Sequence, residues 1–153
     1  MSKPWLTFDC YDTLVRYSEG KAAALATLVR EKGGDDTAVD RAQSAFEACE
    51  KKLQLGPFII LNAVLRKSLH AGLEAAGLPN TVSDEETIIK AVKLSEPFPD
   101  TGPALADLKR DFRLAILSNS EPEIIRHNIA SIGIEFDAIV LAAEAKCYKP
   151  DLG

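Results

Sequence analysis

Two short apolar runs near the end of the chain and one at its start enclose a long stretch whose apolar residues recur at helical spacing. The opening run, Trp5-Leu6-Thr7-Phe8, fits a buried strand and delivers Asp9 to its C-terminal end. From about residue 15 to 94 the pattern is helical throughout. A first helix follows the Ser18-Glu19 start and runs through the alanine-rich residues 21–30. Asp36-Thr37 is read as the cap of a second, running through Phe46 to about Leu53. Pro57 suits the start of a third, which closes at Gly77 before Pro79. Ser83-Asp84-Glu85-Glu86 reads as a capping box opening a fourth helix through Ile88, Ile89 and Val92.

Beyond Pro97 the pattern alternates. Residues 101–109 form a short helix with Ala104, Leu105 and Leu108 on one face. Leu114-Ala115-Ile116-Leu117 is a compact apolar run, as expected of a buried parallel strand. Ser120-Glu121-Pro122-Glu123 reads as a second capping box, and its helix ends before Gly133. Ala138-Ile139-Val140-Leu141 is another buried strand. Strand and helix in alternation imply right-handed crossovers and a parallel sheet. The four helices between the first two strands are then an insertion, residues 16–97, into a core made of residues 1–15 and 98–153. Only three strands are found where such sheets usually have more, so the chain reads as shortened relative to a longer relative. One sheet edge is expected to be unpaired, which invites association, a homodimer being its simplest form.

Composition narrows the function classes. A chain of 153 residues is the size of one domain. Its net charge of -5, without a basic cluster, argues against nucleic acid or an anionic membrane as partner. The longest apolar stretch, around residues 58–61, is too short to span a bilayer and is soon broken by Arg66 and Lys67. The N-terminus enters a strand directly, without the pattern of a signal peptide. Cys10, Cys49 and Cys147 are odd in number and widely spaced, which suits reduced thiols and a cytoplasmic location. With no CxxC pair and with His70 and His127 isolated, no zinc site is expected.

Candidate chemistry gathers at the carboxyl ends of the three strands, where ligands of open α/β sheets bind. Asp9 ends the first, a carboxylate able to act as nucleophile, with Thr13 placed to orient it. Ser118 and Asn119 end the second, just ahead of a helix N-terminus, and offer hydrogen bonds to an anion. Lys149 follows the third and can keep Asp9 ionised and aimed. Each residue alone has a commonplace reading as turn, cap or surface lysine. Their coincidence at three successive strand ends does not.

The segments Asp9-x-Tyr11-x-Thr13, Leu117-Ser118-Asn119 and Tyr148-Lys149-Pro150-Asp151 resemble the first three motifs of the haloacid dehalogenase superfamily. Within it they are most similar to the type II 2-haloacid dehalogenases. The resemblance implies a Rossmann-like α/β core with an inserted four-helix cap. It implies that Asp9 attacks C2 of an (S)-2-haloalkanoate and that water then hydrolyses the aspartyl ester to the 2-hydroxy acid. That reaction takes a small carboxylate substrate and no cofactor. By the same resemblance Ser118, Asn119 and the backbone near Cys10 and Tyr11 bind the substrate carboxylate, and Arg41 of the cap, or else Arg16 or Arg66, holds the halide. The alternative within the superfamily is a Mg2+-dependent phosphatase of a small phosphomonoester, in which Asp9 also meets the metal. Phosphatases place an acidic Asp two positions after the nucleophile to protonate the leaving alkoxide. Here Tyr11 stands there, and its phenol is a poor acid at neutral pH, whereas halide leaves without a proton. Asp12 takes the place of the family's glycine. The family's fourth motif, which binds magnesium or positions the hydrolytic water, has no counterpart in the 153 residues. A non-catalytic remnant acting as an interaction module is the reading outside enzymology.

Overall fold

The computed structural model describes residues 3–150. Strand β1 (Trp5–Phe8) is followed by four helices, α1 (Tyr17–Glu31), α2 (Asp36–Gln54), α3 (Leu61–Ala75) and α4 (Val82–Lys93). Then come α5 (Thr101–Leu108), β2 (Arg113–Ser118), α6 (Pro122–Ile132), β3 (Ala138–Leu141) and the single turn α7 (Ala142–Ala145). The sheet is parallel in the order β1-β2-β3, with Phe8 opposite Ile116 and Ile116 opposite Ile139. The architecture is α/β, a parallel core sheet carrying an inserted helical unit.

Two apolar clusters organise the molecule. Leu114 and Ile116 of β2 pack with Leu105 of α5 and with Ile125 and Ile132 of α6 on one face of the sheet. The helical unit encloses Phe46, Leu65, Leu69, Leu73 and Ile88, all at most 1% exposed. The opposite sheet face is the more exposed one. There Trp5 and Val140 are each 48% exposed, and the Arg113 guanidinium lies 4.7 Å from the Trp5 ring centroid. Strands β1 and β3 therefore differ from the expected buried strands. Both are edges of the sheet formed by the described residues, and among its strands only β2, flanked on both sides, buries the run that its sequence suggests.

The helix starts also differ. Helix α4 begins two residues early, because Thr81, not Ser83, is the N-cap and shares its capping box with Asp84. Helix α2 is capped by Asp35, whose side chain accepts from the Ala38 N–H. Helix α3 begins at Leu61, leaving Pro57 in the preceding connection. The second capping box does not form. Glu121 is the N-cap residue of α6 without a side-chain cap bond, and its carboxylate instead accepts from the Asn62 N–H at the start of α3, at 3.2 Å. Gly133 closes α6 in the left-handed conformation, φ 73°, where a side chain would be strained.

Candidate active site

Parallel pairing sets the carboxyl ends of the strands side by side, and the side chains there meet. The Lys149 ammonium donates to Asp9 Oδ1 and to the Leu117 carbonyl, each at 2.7 Å. Thr13 donates its hydroxyl to the other Asp9 oxygen, Oδ2, at 3.3 Å. Both Asp9 oxygens are thus held while the carboxylate stays 41% exposed, open to a reactant. Asn119 accepts the Lys149 backbone N–H at 2.7 Å and donates to its carbonyl at 3.4 Å. Its amide therefore fixes the lysine loop, and is not turned freely toward a ligand. Ser118 also lines the cavity but is only 3% exposed, and its buried hydroxyl has no hydrogen-bond partner among the described residues.

These groups open into a cavity of about 380 Å³ between the sheet and the helical unit. Its floor is Asp9, Ser118, Asn119 and Lys149; its opposite wall is built by Tyr17 and Lys21 of α1, Glu47, Glu50, Lys51 and Gln54 of α2, and Leu61 of α3. Tyr17, Lys21 and Glu50 form a buried network. Glu50 accepts from the Tyr17 hydroxyl at 2.5 Å and pairs with the Lys21 ammonium, which also lies 4.3 Å from the Tyr17 ring centroid. Burial, then the Glu50 charge, holds the Tyr17 phenol well above its ordinary pKa. Sequence reasoning missed all three residues. The available signal was Glu50, a carboxylate continuing the buried stripe Ala42-Phe46 at four-residue spacing.

Tyr11 also lines the cavity, but its hydroxyl is engaged away from Asp9. Its hydroxyl meets Ser120 Oγ at 2.9 Å and donates to Asn128 Oδ1 at 3.4 Å, and its ring stacks on Tyr17 with centroids 4.4 Å apart. Burial raises its pKa above the ordinary range, so the phenol is fixed as a neutral structural group. The Cys10 thiol is fully buried and pushed up to about 12, chiefly by burial and then by Asp9, so a role at the site falls to its backbone. Asp12 adopts φ 57°, a left-handed conformation that favours glycine, and both of its oxygens are taken by Ser18, the backbone N–H at 2.8 Å and the hydroxyl at 2.6 Å. It serves as a remote cap of α1.

The arginines stand elsewhere. Arg41 is exposed on α2 and does not line the cavity. It lies nine residues before Glu50, about 14 Å away along the helix axis. Arg66 is engaged by Asn62 and Glu85, and Arg16 by Glu19. The cations facing the cavity are Lys21, Lys51 and Lys149. A divalent metal is not matched by these residues either. No group of three or more His, Cys, Asp or Glu side chains converges among the described residues, and Asp12 is spent on Ser18.

A parallel sheet whose strand ends converge on a held aspartate, beneath a helical unit inserted after the first strand, defines an α/β protein with a cleft at its strand ends. The chain belongs to the haloacid dehalogenase-like hydrolase family, which it matches over residues 5–152. Among solved structures it is similar to the L-2-haloacid dehalogenase PA0810, at 26% identity and a TM-score of 0.77, covering 98% of this chain and 66% of that one. The L-2-haloacid dehalogenase from Xanthobacter autotrophicus is similar in fold at 24% identity and a TM-score of 0.78, covering 98% and 60%. So is the putative hydrolase YfnB from Bacillus subtilis, bound to magnesium, at 16% identity and a TM-score of 0.80, covering 99% and 70%. The chain thus spans 60% and 66% of the length of these two dehalogenases, less than two thirds of either. No curated protein sequence matches it.

Proposed function

We propose that the chain carries the nucleophilic half-site of a metal-independent 2-haloacid dehalogenase. The observation that carries this reading is an Asp9 carboxylate gripped by Lys149 and Thr13, with Tyr11 two positions on in place of a carboxylic acid and its phenol engaged by Ser120 and Asn128. An alkoxide leaving group would need an acid at that place; a halide does not. Asp9 attacks C2 of the (S)-2-haloalkanoate from the face opposite the halogen. The carbon–halogen bond breaks with its electron pair leaving on the halide, and an ester joins Asp9 to C2. Water attacking the Asp9 carbonyl carbon then releases the 2-hydroxy acid and restores the carboxylate.

Ser118, with its unpartnered hydroxyl, binds the substrate carboxylate together with the backbone at Cys10 and Tyr11. Asn119 holds Lys149 in place. Halide departure is toward the wall formed by Tyr17, Lys21 and Leu61, since no arginine of the described residues reaches the cavity.

Halide release from (S)-2-chloropropionate, measured with and without EDTA beside a phosphomonoester assay, tests the proposal. The expected result is metal-independent chloride release that falls by roughly 10⁴-fold or more in Asp9→Asn. EDTA-sensitive phosphate release would instead establish the phosphatase reading. Silence in both assays would leave an interaction module.

A further inference from the structure

Beside the cleft lies a second cavity of about 410 Å³, bounded by the connection between α2 and α3 on one side and by the loop after α7 on the other. Gln54, Leu55 and Lys149 line both cavities. Whatever fixes this connection therefore shapes the reaction cleft as well. Tyr148 fixes it. The Tyr148 hydroxyl donates to the Ile59 carbonyl at 2.5 Å and accepts from the Ile59 N–H at 3.3 Å, satisfying both backbone groups of one residue in a segment that has no helix or strand to do so. Its ring does a separate job, packing against Phe58 with centroids 5.2 Å apart.

The residue after Tyr148 is Lys149, pinned to the sheet by Asp9, Leu117 and Asn119. Side chains of two adjacent residues thus reach in opposite directions, one into the helical unit and one into the active site. We propose that Tyr148 is a positioning residue: its hydroxyl clasps the α2–α3 connection to the core and, through the adjoining backbone, holds the Lys149 ammonium on the Asp9 carboxylate. The proposal rests on the Asp9–Lys149 pair being the working site described above.

Tyr148→Phe keeps the ring and deletes the clasp. Two readouts on this variant decide the matter without a substrate. Hydrogen exchange at the Ile59 amide should quicken on the order of tenfold, the factor one net hydrogen bond is worth, while α2 and α4 amides are unchanged. Limited labelling with an amine-reactive reagent, read by peptide mass, should modify Lys149 several-fold faster, with the other lysines unaffected. Faster Ile59 exchange with unchanged Lys149 labelling would reduce the clasp to a fold contact and overturn the proposal. So would no change in either, or a general acceleration across α2 and α4. With (S)-2-chloropropionate, the variant should lose kcat at nearly unchanged KM. Were the unaltered protein to release no halide, the functional reading would fall, while exchange and labelling would still decide the role of Tyr148.

Discussion

Asp12 shows how one residue can meet two demands at once. A side chain at φ 57° costs roughly 1 kcal/mol relative to glycine. Its carboxylate offsets that by accepting the Ser18 N–H at the second position of α1, a helix whose own N-cap residue, Arg16, makes no side-chain cap bond. The charge also lies at the positive end of the helix dipole. Asp12→Ala removes the cap and keeps the strain, so it should destabilise by about 1–2 kcal/mol in urea denaturation. Asp12→Gly removes both and should stay within about 0.5 kcal/mol of the parent. An alanine variant as stable as the parent would show that the Ser18 contacts contribute nothing. The sequence showed the departure from glycine at this position but not its purpose, because Ser18 reaches Asp12 only through the turn between them.

At the scale of elements, the buried start of α4 makes stability depend on pH. Burial works to raise the Asp84 pKa, but hydrogen bonds from Lys32 and Thr81 outweigh it and hold the carboxyl below its ordinary 3.8. A carboxyl depressed in the folded state contributes stability that is full above its unfolded pKa and is lost as pH falls through the folded one. Asp84→Asn should therefore cost about 1–2 kcal/mol at pH 7, and the gap should close as pH drops through and below 3.8. Urea denaturation of both proteins at a neutral and an acidic pH measures it; a gap independent of pH would refute the role of the charge. This same helix start marks the limit of reading from sequence. Residues 81–86 offer two capping registers, and the contact with Lys32, 49 residues before Thr81, favours the earlier one. Likewise β2 was legible because flanked strands are apolar throughout, while the exposure of Trp5, Ile139 and Val140 follows from which strands are edges. Asp9, Thr13, Ser118 and Lys149 were legible because strand ends in a parallel sheet must converge. Lys21 and Arg41 were not, since which face of α1 or α2 looks into the cleft is decided by packing between elements.

Across the whole molecule, the helical unit is fastened to the core by polar ties and by shared apolar packing. The Asn128 amide of α6 donates to the Val92 and Lys93 carbonyls at the end of α4, at 2.9 and 3.2 Å, while Glu121 accepts from the start of α3. Core helix α6 and its N-cap residue thus hydrogen-bond backbone groups at the ends of two inserted helices. Ile124, also on α6, is fully buried in the apolar cluster of the helical unit, and Tyr11 packs against both clusters. Neither unit can unfold without exposing surface and polar groups of the other, so denaturation should be a single cooperative transition. The chain supplies its own two probes. Its one tryptophan, Trp5, lies on β1 and reports the core, whereas most of the helix, and so most of the far-UV dichroism, belongs to the insertion. The two urea curves should coincide, and Ile124→Ala should shift both together by about 3 kcal/mol. If the dichroism transition moved to lower urea while the Trp5 fluorescence stayed in place, the helical unit would be an independently unfolding lid. The hydrogen bonds from α6 would then fail to couple it to the sheet that carries Asp9.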